Sequence, residues 1–275
     1  MKYDIAASIV VFKNDRIILR KAIDSFLRTV LKVNLLVIDN SPTDDLRAIC
    51  ACENVEYIFN NNNLGFGAGH NIAIRKMSGR TKYSLIFNPD VYFEKGVLEK
   101  LFNFMERNDE IGLLMPKVLY PGGALQHLCR LLPTPMDLLI RKFDNKILRG
   151  LINLISKYEL KFADCNKQMD VPYLSGCFMF IRTEVLKKIG SFDERFFIYF
   201  EDVDLSRRIH RLYRTVYYPQ VEIYHGYERG SNKDTALFKH LIRSGVRYFN
   251  KWGWFFDKER RLINNQALEN LRSVR

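Results

Sequence analysis

Apolar and polar positions follow two alternating periods through the first 120 residues. Ile5 to Phe12 is a continuous apolar run, the pattern of a strand buried on both faces. From Asp15 to Leu31, Ile18, Ala22, Phe26 and Val30 recur at helical spacing. Leu35 to Ile38 reads as a second strand and ends in Asp39-Asn40-Ser41-Pro42. Thr43 to Cys50 suits a short helix capped by Thr43, with Asp44 and Asp45 in its first turn. Val55 to Phe59 and Tyr83 to Phe87 read as further strands, Gly67 to Met77 and Glu94 to Arg107 as further helices. Beyond residue 170 the pattern predicts strands at Val171 to Ile181 and Thr215 to Tyr224, with a polar loop and a helix between them.

Strand and helix alternating at this spacing imply βαβ units and a mainly parallel sheet. Ligands of such sheets sit at the carboxyl ends of the strands. Polar residues gather at those ends here: Asp39, Asn40 and Ser41, then Asn60 to Asn63, then Asn88 and Asp90.

Charge adds a second theme. Among 275 residues, 43 are Lys or Arg and 31 are Asp or Glu, a formal net charge of +12. Such a surface attracts phosphates, nucleic acids or anionic lipid. Six basic residues against two acidic ones lie between Leu138 and Lys161, interleaved with apolar residues near helical spacing. From Arg229 onward, 11 basic residues face 4 acidic ones, among Tyr248, Phe249, Trp252, Trp254, Phe255 and Phe256. Surfaces of this kind bind anionic lipid without spanning it. No run reaches the ~18 apolar residues of a spanning helix. The N-terminal run reads as a first strand rather than a signal sequence, so a cytoplasmic protein is expected. Five cysteines without zinc-type spacing read as buried free thiols.

Three stretches carry candidate chemistry. Asn63-Leu64-Gly65-Phe66-Gly67-Ala68-Gly69-His70-Asn71 lets backbone approach a ligand closely and leads into a helix start that can meet phosphate. It is not a dinucleotide fingerprint, because the third glycine of either register falls on His70 or Ile72. Asn88-Pro89-Asp90-Val91 sets a carboxylate just past a buried strand, where a divalent metal bridging two phosphates can be held. The aromatic run from Phe192 to Phe200 delivers Glu201, Asp202 and Asp204 to a helix start. Asp204 and Arg208 have ion-pair spacing. Asp202 points about 200° away from Asp204 around the helix, and packing among aromatics raises a carboxylate toward the pKa of a useful base.

Taken in order with Val37-Ile38-Asp39-Asn40-Ser41, Ser175-Gly176-Cys177-Phe178-Met179 and Gly190-Ser191-Phe192-Asp193-Glu194, these stretches resemble family 2 of the inverting glycosyltransferases, and within it the bacterial rhamnosyltransferase branch. The resemblance spans residues 5 to about 225. It implies a GT-A fold: an α/β, Rossmann-like, mainly parallel sheet flanked by helices, with a basic helical C-terminal extension. The expected division is 1–228 for the catalytic domain, with an amphipathic insertion at about 134–168, and 229–275 for the extension. It implies that Asp39 contacts the donor's pyrimidine, with Asn40, Asn63, Gly65, Gly67, Asn71 and Asn88 around the donor. Asp90 takes the metal position for Mg²⁺ or Mn²⁺, with His225 as a further ligand. Asn88 stands where the commoner motif has a first Asp. Asp202 matches the family's base, and Glu201 is the second choice. The implied reaction is transfer of L-rhamnose from dTDP-L-rhamnose, with inversion, to a lipid-linked precursor of a bacterial surface polysaccharide such as O-antigen. The expected partners are a nucleotide-diphosphate sugar, a lipid-linked saccharide acceptor and an anionic membrane surface, with no nucleic acid.

Two other classes compete. A nucleotidyltransferase that forms nucleotide sugars wants a glycine-rich, basic loop after the first strand, and Phe12-Lys13-Asn14-Asp15 has no glycine. A nucleic-acid-binding protein wants stacking aromatics on a recognised module, whereas the aromatics here fall mostly in strands and in the run ending at Phe200.

Overall fold

The computed structural model describes residues 1–137, 156–226 and 235–273. Most of the expected amphipathic insertion, from Leu138 to Ile155, lies outside the described residues, as does Arg229. One mixed sheet of nine strands forms the core of the described residues, in the order β3-β2-β1-β4-β10-β6-β11-β5, with β8 against β11. The strands on one side of the sheet are β1 (Tyr3–Val11), β2 (Val33–Asp39), β3 (Val55–Phe59) and β4 (Thr81–Phe87). Their pairings with one another are all parallel. They alternate with α1 (Arg16–Leu27) and α2 (Phe66–Met77), the βαβ pattern the sequence predicts.

On the other side come β5 (Val91–Phe93), α3 (Val97–Glu106), β6 (Ile111–Leu119), β10 (Phe178–Arg182), α4 (Thr183–Ile189), α5 (Glu201–His210) and β11 (Arg214–His225). The strand β10 runs antiparallel between β4 and β6, while β6 and β11 pair in parallel. All five β10 residues are buried, which suits a strand at the centre of the sheet. Short strands β7 (Cys129–Arg130) and β9 (Tyr173–Leu174) pair beside it, and β8 (Met169–Asp170) meets β11. The C-terminal extension is helical, α6 (Thr235–Trp252) and α7 (Lys258–Ser273).

Four expectations need correction. Helix α1 ends at Leu27, and its buried face is Leu19, Ala22, Ile23 and Phe26; Ile18 and Val30 are exposed. Thr43 caps no helix, because its hydroxyl bonds Asp45 and only Ala48–Cys50 forms a 3₁₀ turn. The strand expected from Val171 to Ile181 breaks into β9 and β10. The cysteines are all free, but Cys52 and Cys165 are only half-buried.

Candidate active site

The carboxyl edge of the parallel strands gathers the predicted residues. Asp39 ends β2, level with Val11 of β1, and Ser8 is level with Ile86 of β4. Three residues further along that register, Asp39 and the turn after β4 stand two strands apart, roughly 10 Å.

Asp39 is fully covered. Its Oδ2 accepts from the Tyr57 hydroxyl at 2.5 Å and its Oδ1 from the Ser41 amide at 2.8 Å. Asn40 is spent as a clip: its amide nitrogen donates to the Gly65 carbonyl and its oxygen accepts from Asn60. Asn63 forms a turn by accepting from the Gly65 amide.

Gly65 has φ +87°, and a Cβ there would stand 2.2 Å from the Phe197 carbonyl oxygen. That oxygen accepts from Phe66 N, so only glycine lets the loop meet the aromatic run. Gly67 in the first turn of α2 is closed over by Phe192, 2.9 Å from where a Cβ would be. Asn71 is buried one turn further on. Its amide donates to the Phe192 carbonyl and to Glu194 Oε1, and its oxygen accepts from Phe192 N. Both of its N–H groups are thus committed to clamping α2 against the aromatic run, rather than turned to a pocket. Beside it His70 bonds Ser8, and full burial pushes its pKa down to about 3, so it stays neutral.

The carboxylates follow a strained turn. Tyr199 and Phe200 both have φ of 70°, a region bulky residues rarely adopt. The turn puts Glu201 and Asp202 at the start of α5. Asp202 Oδ2 accepts from Gly176 N at 2.9 Å and from the Tyr173 hydroxyl at 3.1 Å; its Oδ1 accepts from Val203 N. Burial pushes its carboxyl above the usual range, and the three donated bonds and nearby Arg130 pull it partly back. Arg130 also bonds the Tyr173 hydroxyl. Glu201 is 5% exposed with Oε2 unpartnered. Burial, then the adjacent Asp202, drives its pKa well above normal, so it favours the neutral acid.

On the far side of the Gly176-Cys177 turn lies the Asn88 motif. Asn88 N donates to the Cys177 carbonyl at 3.0 Å, so Asp202 and the Asn88-Pro89-Asp90 loop flank one turn. His225, at the end of β11, has Nε2 3.5 Å from Asp90 Oδ1 and 3.2 Å from the Asn88 amide nitrogen. Its Nδ1 bonds Gln126 Oε1 at 3.0 Å, and Gln126 in turn donates to the His225 carbonyl. Gln126 Oε1 can only accept, so Nδ1 carries the proton and Nε2 keeps its lone pair. That lone pair accepts from the Asn88 amide, which a bound metal would have to displace, and it lies beside the Asp90 carboxylate. One carboxylate and one imidazole fit a divalent ion whose other ligands are phosphate oxygens and water. Among the described residues, no three His, Cys, Asp or Glu side chains group to hold a metal by themselves.

The supporting residues Tyr57, Gln126, Arg130 and Tyr173 carried no sequence signal, since each meets its partner only through the fold. Gly176 lay in a quoted motif without a role attached.

A family profile described as Glycosyl transferase family 2 matches residues 8–190. The chain is 28% identical over 233 residues to an N-acetylglucosaminyl-diphospho-decaprenol L-rhamnosyltransferase of Mycobacterium tuberculosis, covering 76% of this chain and 72% of that protein. It is 22% identical over 251 residues to the rhamnosyltransferase WbbL of Escherichia coli, covering 87% and 88%. Among solved structures, TarS of S. aureus superposes with a TM-score of 0.60 at 14% identity, covering 97% of this chain and 43% of that one. GalNAc-T7 with UDP, GalNAc and Mn²⁺ gives 0.62 at 14% identity, covering 89% and 48%. The chain thus spans less than half the length of either solved structure.

Proposed function

This chain belongs to glycosyl transferase family 2, and on that premise we propose that it transfers L-rhamnose from dTDP-L-rhamnose, with inversion, to a lipid-linked saccharide at the inner face of a membrane. The rhamnosyl choice is supported by the names of the two relatives, and the lipid-linked acceptor by that of the mycobacterial one. The reaction class is supported above all by one observation: the Asp202 carboxylate and the Asn88-Pro89-Asp90 loop both bond the Gly176-Cys177 turn.

Asp202 is the base. Burial makes it more basic than a free carboxylate, and three neutral donors fix its position. It takes the proton of the acceptor hydroxyl as that oxygen attacks the anomeric carbon opposite the departing nucleoside diphosphate. A single displacement inverts the configuration. Glu201, kept neutral by burial, backs the same cleft. Asp39 serves the pyrimidine pocket through the Tyr57 hydroxyl and Ser41 that it holds, because its own oxygens are covered. Asn63, Gly65 and Gly67 bring backbone to the diphosphate; Asn40 and Asn71 hold that backbone in place. Asp90 and His225, with Asn88, would hold Mn²⁺ or Mg²⁺, and the imidazole favours Mn²⁺. When bound, the ion neutralises charge on the leaving diphosphate.

A donor panel with thermal shift, with and without Mn²⁺, tests this. dTDP or UDP should raise the melting temperature only with metal, and EDTA should abolish the shift. A pyrimidine diphosphate that leaves the melting temperature unchanged under every metal condition would refute the reading.

A further inference from the structure

The corner between α6 and α7 presents an apolar and cationic surface that neither the fold nor the cleft uses. Gly253, at φ +106°, turns the chain after Trp252. Trp252 faces inward, its indole under Arg207 at 4.1 Å and its Nε1 donating to Asp204. The next two aromatics do the opposite. Phe255 is 76% exposed and Phe256 97%, while Trp254 lies across Asn250, to which it donates.

The outer face of α6 continues this surface. Ile242 and Val246, one turn apart, are exposed, and Asn250 follows one turn later. Between them stand exposed Lys239, Arg243 and Arg247, with Ser244, Gly245, Tyr248 and Phe249 buried on the other face. From Thr235 to Phe256 there is no acidic residue. The acids that follow are engaged by other cations: Asp257 with Arg207, and Glu259 with Arg207 and Arg211. Lys258 and Arg261 on the first turns of α7 are exposed. No described helix is long and apolar enough to cross a membrane. Arg247 also donates to the Arg195 carbonyl. Exposed phenylalanines on a corner whose two helices carry exposed cations fit a bilayer interface carrying negative lipid, with the rings in the acyl boundary and the cations at the headgroups.

We propose that the α6–α7 corner is the membrane-docking surface of this protein, with Phe255 and Phe256 inserting into an anionic bilayer while Arg243, Arg247, Lys258 and Arg261 engage its headgroups. This deepens the reading of a lipid-linked acceptor by naming where the acceptor's bilayer meets the chain.

Flotation of the full chain with phosphatidylcholine vesicles, and with vesicles containing phosphatidylglycerol, tests the surface without donor or acceptor. The wild type should float with the anionic vesicles, and 0.5 M salt should release it. Phe255→Ala with Phe256→Ala should lower the partition constant at least tenfold and leave the nucleotide-induced thermal shift unchanged. Arg243→Gln with Lys258→Gln should cost about fivefold per cation on anionic vesicles and nothing on neutral ones. Equal flotation of the wild type and the double phenylalanine variant overturns the proposal. So does a phenylalanine effect seen only as lost self-association in sedimentation velocity, which would make the corner a contact between copies. Flotation with no nucleotide binding would instead refute the transferase reading and leave the docking surface standing.

Discussion

The two faces of the first turn of α5 carry carboxylates two residues apart, in opposite surroundings. Asp204 is fully buried among cations: Arg208 at 2.9 Å, Lys251 at 2.7 Å, and the Trp252 indole besides. Asp202 is held instead by the Gly176 amide, the Tyr173 hydroxyl and the Val203 amide of its own helix, all of them neutral donors. The cations lock Asp204 into ion pairs, whereas neutral donors hold Asp202 in place and its burial raises its basicity. The Asp204 side of α5 is therefore a fastening, and the Asp202 side is the one we propose as reactive.

The strongest test of that contrast is Asp202→Asn, which should reduce transfer roughly 10²–10⁴-fold while dTDP still raises the melting temperature. Radiolabelled-donor turnover measures it, and retained turnover would move the base elsewhere. Asp204→Ala should do the reverse. It leaves Arg208 and Lys251 facing an emptied buried site and should cost about 3 kcal/mol in urea denaturation, with turnover per folded molecule little changed. Loss of turnover at full stability would dissolve the distinction.

A smaller effect should come from Tyr173→Phe. Asp202 must be ionised to act, so the rate falls as pH drops through its raised pKa. Removing a hydrogen bond to the charged form raises that pKa further. The acid limb of the pH–rate profile should move to higher pH, with KM for the donor unchanged. An acid limb that stays in place would show the tyrosine to be structural only. Arg130→Met should shift the limb in the same direction by less, because Arg130 reaches Asp202 through Tyr173.

Much of this was legible in the chain. The apolar runs of β1, β2 and β4 are buried on both faces, and the polar clusters after them do stand at one edge of the sheet. The ion pair of Asp204 with Arg208 and the divergence of Asp202 from Asp204 follow from helical spacing alone. The failures have physical causes. A stripe read at strict four-residue steps drifts by about 40° per step, which carried Ile18 off the buried face of Leu19, Ala22, Ile23 and Phe26, while Val30 lies past the helix end at Leu27. Pro172 and Gly176 interrupt an apolar run that composition alone makes continuous, and that interruption creates the turn Asp202 binds. Asn71 looked like a pocket residue because it stands in a glycine-rich loop, yet its partners at Phe192 and Glu194 lie far along the chain and leave no local signature. Gln126, which fixes the tautomer of His225, sits in an irregular stretch with no period to mark it.

The left-handed turn at Tyr199 and Phe200 has a consequence for any shortened version of the protein. Such a turn costs about 1–3 kcal/mol per residue and persists only under restraint. The restraint comes from α6: Ser244 bonds the Ile198 carbonyl, and Phe200 packs on Tyr248 and Phe249. A helix lying beyond the family-matched region thus acts as a latch on the loop that aims Asp202, the proposed base. A fragment trimmed before Thr235 would keep every cleft residue in its sequence and let the spring-loaded loop uncoil, so that chemistry would fade with no catalytic side chain altered.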